Sequence, residues 1–173
     1  MPSIYDLKPK FQNLLRPTVK VLSDRGVSAN QITVLAMIIS FIAGSMVLAF
    51  PESNWPLLII PLVLFIRMAL NAIDGMLARE HNMKSSLGAV LNELGDVCSD
   101  VALYLPLAVI VDINASLIVV VVIFTIISEM AGVLAIQIGA KRRYDGPMGK
   151  SDRAFLFGVI TLILGVGVNP QPW

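Results

Sequence analysis

The chain has little of what soluble chemistry usually needs. Of its 173 residues one is cysteine, one is histidine and only 14% are Asp, Glu, Lys or Arg. The single Cys98 excludes an intrachain disulfide. His81 has no Cys or His companions at zinc-ligand spacing, which leaves zinc chemistry without a ligand set. A net charge of +1 argues against nucleic acid as a partner, because that needs a basic face. The N-terminus lacks the apolar run and small-residue cleavage site of a secretory signal. No segment repeats at a fixed period, and none is of low complexity.

Apolar residues make up 56% of the chain, with a mean hydropathy of +0.79. That composition predicts an all-α, polytopic transmembrane helix bundle forming one membrane-embedded domain over residues 1–173. Five stretches reach or approach the ~20 residues that span a bilayer: 32–50, 57–78, 87–111, 115–138 and 154–168. Short connections join them, so sequence neighbours are expected to pack antiparallel.

Basic residues are distributed on one side only. Lys8, Lys10, Arg16, Lys20 and Arg25 precede the first span. Arg79 and Lys84 follow the second; Lys141, Arg142, Arg143, Lys150 and Arg153 precede the fifth. Since Lys and Arg resist translocation, these segments are expected at the cytoplasmic face of a cytoplasmic (inner) membrane. Arg67 alone lies within a span.

Residues 1–26 carry Ile4, Leu7, Phe11, Leu14, Leu15 and Leu22 on one helical stripe, which predicts an amphipathic helix against membrane lipids. Pro17 is expected to break it in two. Gly26 should end the segment, and Ser28 with Gln31 has the spacing of a capping box opening the first span.

The informative region runs from Asn71 to Asp100. On the second span, Asn71 and Asp74 lie one turn apart. On the third, Asn92, Asp96 and Asp100 recur every four residues, with Glu93 beside them, on one helix face. Counting ~1.5 Å per residue from the cytoplasmic ends levels Asn71 with Asp96 and puts Arg67 level with Asp100, one turn deeper. Ionisable groups at membrane depth are costly, so such a cluster points to function. Hard oxygen donors suit Mg²⁺ or Mn²⁺. Gly75, Ala78, Gly88 and Gly95 leave room for close backbones or a bulky ligand. The plainer alternative is that these groups hydrogen-bond one another and lock two helices together.

The pattern Asn71-x2-Asp74-Gly75-x2-Ala78-Arg79-x8-Gly88-x3-Asn92-x3-Asp96 resembles the signature of CDP-alcohol phosphatidyltransferases. Six of eight fixed positions agree over 26 residues; the exceptions are Asn71 and Asn92, where that signature has aspartate. Asn30-x2-Thr33 also looks like the family's Asn-x2-Thr at the first span. The resemblance covers nearly the whole chain, though the family has a sixth span not seen here. It implies transfer of a substituted phosphate from a CDP-linked lipid, such as CDP-diacylglycerol, to an acceptor hydroxyl, with CMP released. It further implies a metal site at Asp74 and Asp96 with Asn71 and Asn92 as weaker partners, Asp96 as general base, and CDP held by Asp74, Gly75, Ala78, Arg79 and Gly88. Homodimers are usual in such proteins.

Two asparagines for two aspartates should weaken metal affinity, and Glu93 and Asp100 are extra acids that offset the loss; Glu129 lies at comparable depth. Asp100 has two readings, a metal ligand or the buried partner of Arg67. Gly146-Pro-Met-Gly149-Lys150 opens the fifth span, and Lys150 with Arg153 is expected to bind a phosphorylated acceptor at that helix N-terminus. Rival classes are an inactive scaffold with the same residues and a cation-coupled transporter, which would need repeats or broken helices that are not evident.

Overall fold

A computed structural model describes residues 8–111, 113–140 and 149–168. Ile4, Leu7, Lys141 to Arg143, the Gly146 end of the glycine segment and the tail beyond Val168 lie outside those residues. The described residues form six α-helices: α1 Lys8–Asp24, α2 Ala29–Ala49, α3 Trp55–Glu80, α4 Ser86–Tyr104, α5 Ala115–Gln137 and α6 Lys150–Gly165. A short 3-10 turn, Leu105–Val109, follows α4. The protein is an all-helical polytopic membrane bundle.

Local chemistry sets the helix ends. Gly26 adopts φ +74°, and the Gly26 and Val27 amides return to Ser23 O and Leu22 O at 2.9 and 3.0 Å, closing α1 with a left-handed glycine cap. Ser28 and Gln31 form the expected capping box at the start of α2. Ser85 accepts from the Gly88 amide at α4, and Asn114 accepts from the Leu117 amide at α5.

α1 runs unbroken through Pro17, against expectation. Its Val19 is fully buried and packs, with Leu15 and Leu22, on a cluster holding Ile32 of α2 and Ile73, Met76 and Leu77 of α3. Burying such side chains is worth about 1.5–3 kcal/mol each, against about 3 kcal/mol for an interior proline. Packing wins. The anchored face is therefore centred on Val19, and Leu14, assigned to the apolar stripe, is 75% exposed. Arg16 on Glu80, and Ser23 hydrogen-bonded to His81 at 2.8 Å, fasten the same helix to the end of α3.

Three helices, α2, α3 and α5, are long and apolar enough to cross a membrane by composition alone. The expected third span, 87–111, divides at Tyr104 into α4 and the 3-10 turn, where Pro106 cannot continue the α-helical ladder. α4 falls short because its own acids lower its hydropathy, and α6 because it is 16 residues long. α5 buries only Ile118, Val122 and Thr125, leaving Phe124, Ile127 and Leu134 on an apolar outer face.

α2 is the central packing element, lying on both α3 and α4, while α6 packs on α3 and α5 on α4. Small residues allow that contact: a side chain at Gly44 would place its Cβ 1.8 Å from the Ala102 carbonyl oxygen, and one at Gly95 would meet Met37 Sδ at 3.0 Å. Gly88 and Gly95 therefore serve the approach of α4 to α2. α3 and α4 make little close backbone contact with each other. They bound a space crossed by long polar side chains.

Candidate active site

The polar cluster sits where α3, α4 and α6 face that space, with Glu129 of α5 at its side. Arg67 is 3% exposed and Asp100 1%. The Arg67 guanidinium pairs with Asp100 Oδ1 and donates to the Asp96 backbone carbonyl at 2.9 Å. Arg153 of α6 donates to Asp100 Oδ2 at 3.2 Å and to Glu129 Oε1 at 2.6 Å. Among the described residues, two guanidiniums and two carboxylates thus alternate through four helices, their four charges balancing. In a medium that penalises isolated ions, such mutual pairing is what permits their burial.

Asp96 lies one turn above Asp100. Its Oδ1 accepts from Asn71 Nδ2 at 3.0 Å, contacts the Lys150 ammonium and is 3.6 Å from Arg67 Nη2. Asn71 and Asp96 are therefore level, and Arg67 and Asp100 are paired one turn deeper, as the residue count along each helix predicts. Asp74, 4% exposed, turns the other way and accepts from the Thr33 hydroxyl of α2 at 2.8 Å. Among the described residues, no Lys or Arg lies within ion-pair distance of Asp74.

The glycine-lined end has a separate logic. A side chain at Gly75 would bring its Cβ to 2.9 Å from Arg79 Nη2, so the guanidinium folds back over a bare turn of α3. At Gly88 a Cβ would lie 2.7 Å from Asn30 Oδ1 of α2. Asn30 and Thr33, one turn apart, thus reach both halves of the motif, one touching Gly88 and the other Asp74. Their spacing was visible in the sequence; their contacts were not.

Several expected roles meet competing partners. Both Asp100 oxygens are engaged by arginines, so the geometry favours the paired-ion reading over the metal-ligand reading. Glu129 is bound to Arg153 in place of a metal shell. Lys150 and Arg153, expected to hold an acceptor phosphate, face Asp96 and Asp100, with which any phosphate would compete. Asn92 and Glu93 are half-buried on the same face of α4, and Ala78 is half-buried on α3.

Most of the chain, residues 27–169, matches the sequence profile of CDP-alcohol phosphatidyltransferases. The chain belongs to this family. It is similar to the inner membrane protein YnbA of Escherichia coli (strain K12), with 49% identity over 169 residues, covering 98% of this chain and 83% of that protein. A CDP-alcohol phosphatidyltransferase fold accounts for the segment that holds the motif: Asp74, Gly75, Ala78 and Arg79 end α3, while Gly88, Asn92 and Asp96 occupy α4.

The family implies a divalent metal, and the donor chemistry fits Mg²⁺ or Mn²⁺ in part. Among the described residues no three His, Cys, Asp or Glu side chains converge as a metal cage. Mg²⁺, however, is usually held by one or two carboxylates plus substrate phosphates, not by an all-protein cage. Asp74, a buried carboxylate with no Lys or Arg in ion-pair contact among the described residues, suits that arrangement, with the amide oxygens of Asn71 and Asn92 as neutral donors. Asp96, already against Lys150, suits it less.

Proposed function

We propose that the protein catalyses metal-dependent transfer of a substituted phosphate from a CDP-linked lipid, CDP-diacylglycerol foremost, to an acceptor hydroxyl, in phospholipid synthesis. The observation that carries this reading is Asp96. It stands where α3, α4 and α6 meet, oriented by Asn71 and Lys150, one turn above the layer of Arg67, Asp100, Arg153 and Glu129. A carboxylate so held can accept a proton from an incoming hydroxyl.

In this reading the acceptor oxygen attacks the β-phosphorus of the donor, Asp96 takes its proton, and the bond to the bridging oxygen breaks to release CMP. Arg79, folded over Gly75, faces the diphosphate, and Asn30 against Gly88 borders the nucleotide. Asp74, Asn71 and Asn92 would hold the divalent ion, which would neutralise charge on the leaving phosphate. Thr33 fixes the Asp74 carboxylate for that task. The reading places the site at the cytoplasmic face, where basic residues concentrate, and includes a homodimer.

A second reading, a non-catalytic membrane scaffold, is favoured by one observation: Lys150 and Asn71 both occupy the Asp96 oxygen that would act as base. The test is CMP release from CDP-diacylglycerol in liposomes, with Mg²⁺ or Mn²⁺ and pooled acceptors: glycerol 3-phosphate, inositol phosphate, serine and lipid alcohols. Metal-dependent release that disappears in Asp96→Asn supports the transferase. A folded protein that releases no CMP and binds neither CDP nor metal supports the scaffold.

A further inference from the structure

Charge balance across the cluster is uneven in an informative way. Asp100 and Glu129 are matched by Arg67 and Arg153. Asp96 is matched by Lys150, whose side chain is 29% exposed and reaches in from the first residue of α6. Asp74, more deeply buried than Asp96, accepts from the neutral Thr33 hydroxyl and forms no ion pair with a Lys or Arg among the described residues, the Lys150 charge acting on it only through space. Burying a carboxylate without a positive partner is costly, so Asp74 is the carboxylate that calls for an added cation.

The surroundings of Asp96 disfavour one. Its Oδ1 is ringed by donors: the Asn71 amide at 3.0 Å, the Lys150 ammonium and, at 3.6 Å, the Arg67 guanidinium. A divalent ion on that oxygen would sit within a few ångströms of an ammonium, and like charges so close repel strongly at the low effective dielectric of a buried site. Asn71, with its amide NH₂ turned to Asp96, adds a donor where a metal would need an acceptor.

We propose that Lys150 is a built-in cation fixed on Asp96, so that the site takes a single divalent ion, at Asp74, together with the diphosphate of the donor. The inference rests on the transferase reading and deepens it: one protein ammonium and one metal ion flank the reacting phosphate. Lys150 acts here as a positioning residue that holds Asp96 and excludes a second metal from it.

The test counts ions and needs no turnover. Purified protein in nanodiscs is titrated with Mn²⁺ in the presence of CDP, and bound Mn²⁺ is counted by electron paramagnetic resonance. We expect one Mn²⁺ per chain in the wild type, two in Lys150→Met, and one in Asn92→Asp, which adds an acid while keeping the lysine. Two ions in the wild type would overturn the inference, as would one in a folded Lys150→Met. Two ions in Asn92→Asp would also overturn it, since the missing aspartate would then be what limits the count; this arm holds even if Lys150→Met does not fold. No Mn²⁺ in any form would overturn the transferase reading along with the inference. One bound ion without CMP release would overturn only the transferase reading.

Discussion

Removing Asp100 should destabilise the protein more than removing Asp100 and Arg67 together. In Asp100→Asn, Arg67 keeps its 2.9 Å bond to the Asp96 carbonyl and a carboxylate oxygen at 3.6 Å, while Arg153 keeps Glu129 at 2.6 Å. The four-helix layer then holds two guanidiniums against one carboxylate. Breaking a buried pair by removing one partner costs about 3–5 kcal/mol. The remaining contacts of both arginines place this case near the lower figure, so about 3 kcal/mol, or a roughly hundredfold drop in the folded-to-unfolded ratio. The double variant Arg67→Met with Asp100→Leu leaves Arg153 and Glu129 as a neutral pair and should recover most of that, to within about 1 kcal/mol of wild type. Unfolding in mixed dodecyl maltoside and SDS micelles, followed by far-UV circular dichroism, measures these proteins together with Arg67→Met and Asp100→Leu, the two single variants of that double. If the effects of the two single variants simply add in the double, the sites are uncoupled and the reasoning is refuted.

Thr33→Val keeps the shape of the side chain but leaves the buried Asp74 oxygen without its donor, at a cost of about 1–3 kcal/mol; the same denaturation assay should show this, and Thr33→Ser should restore it. Gly44→Ala drives a methyl group into the Ala102 carbonyl, a backbone atom that cannot step aside, so α2 and α4 must part at about 1–3 kcal/mol or more, with a lowered unfolding midpoint. Gly75→Ala meets only the movable end of Arg79; stability should hold, while the donor KM in the CMP-release assay rises at least tenfold. Chelation with EDTA should abolish CMP release and added Mg²⁺ restore it, whereas metal-independent release would sink the proposed role of Asp74.

Much of the site was legible because helices impose a fixed period. Residues four apart share a face, so Asn92, Asp96 and Asp100 had to project together, and a constant rise per residue set Asn71 level with Asp96 and Arg67 level with Asp100. The glycine and serine caps around Gly26 and Ser28 were equally readable, because their chemistry is local. The glycines were harder. Their smallness was plain, but whether they served a ligand or a neighbouring helix depended on where α2 lay. Gly88 and Gly95 turned out to accommodate α2, and only Gly75 opens toward an arginine.

The amino-acid sequence by itself determined a helical membrane bundle, its apolar spans and a polar stripe on two of them, since composition and periodicity act within single helices. The Arg67–Asp100 pair was one of two readings the sequence offered; how the other charges meet was left to the tertiary structure. Arg67, Asp100, Arg153 and Glu129 come from four helices, and long side chains can bridge many arrangements of helices with the same periods. Lys150 on Asp96, Thr33 on Asp74 and the continuation of α1 through Pro17 were likewise decided by packing, because each depends on a neighbour far away in the chain whose position no local rule encodes.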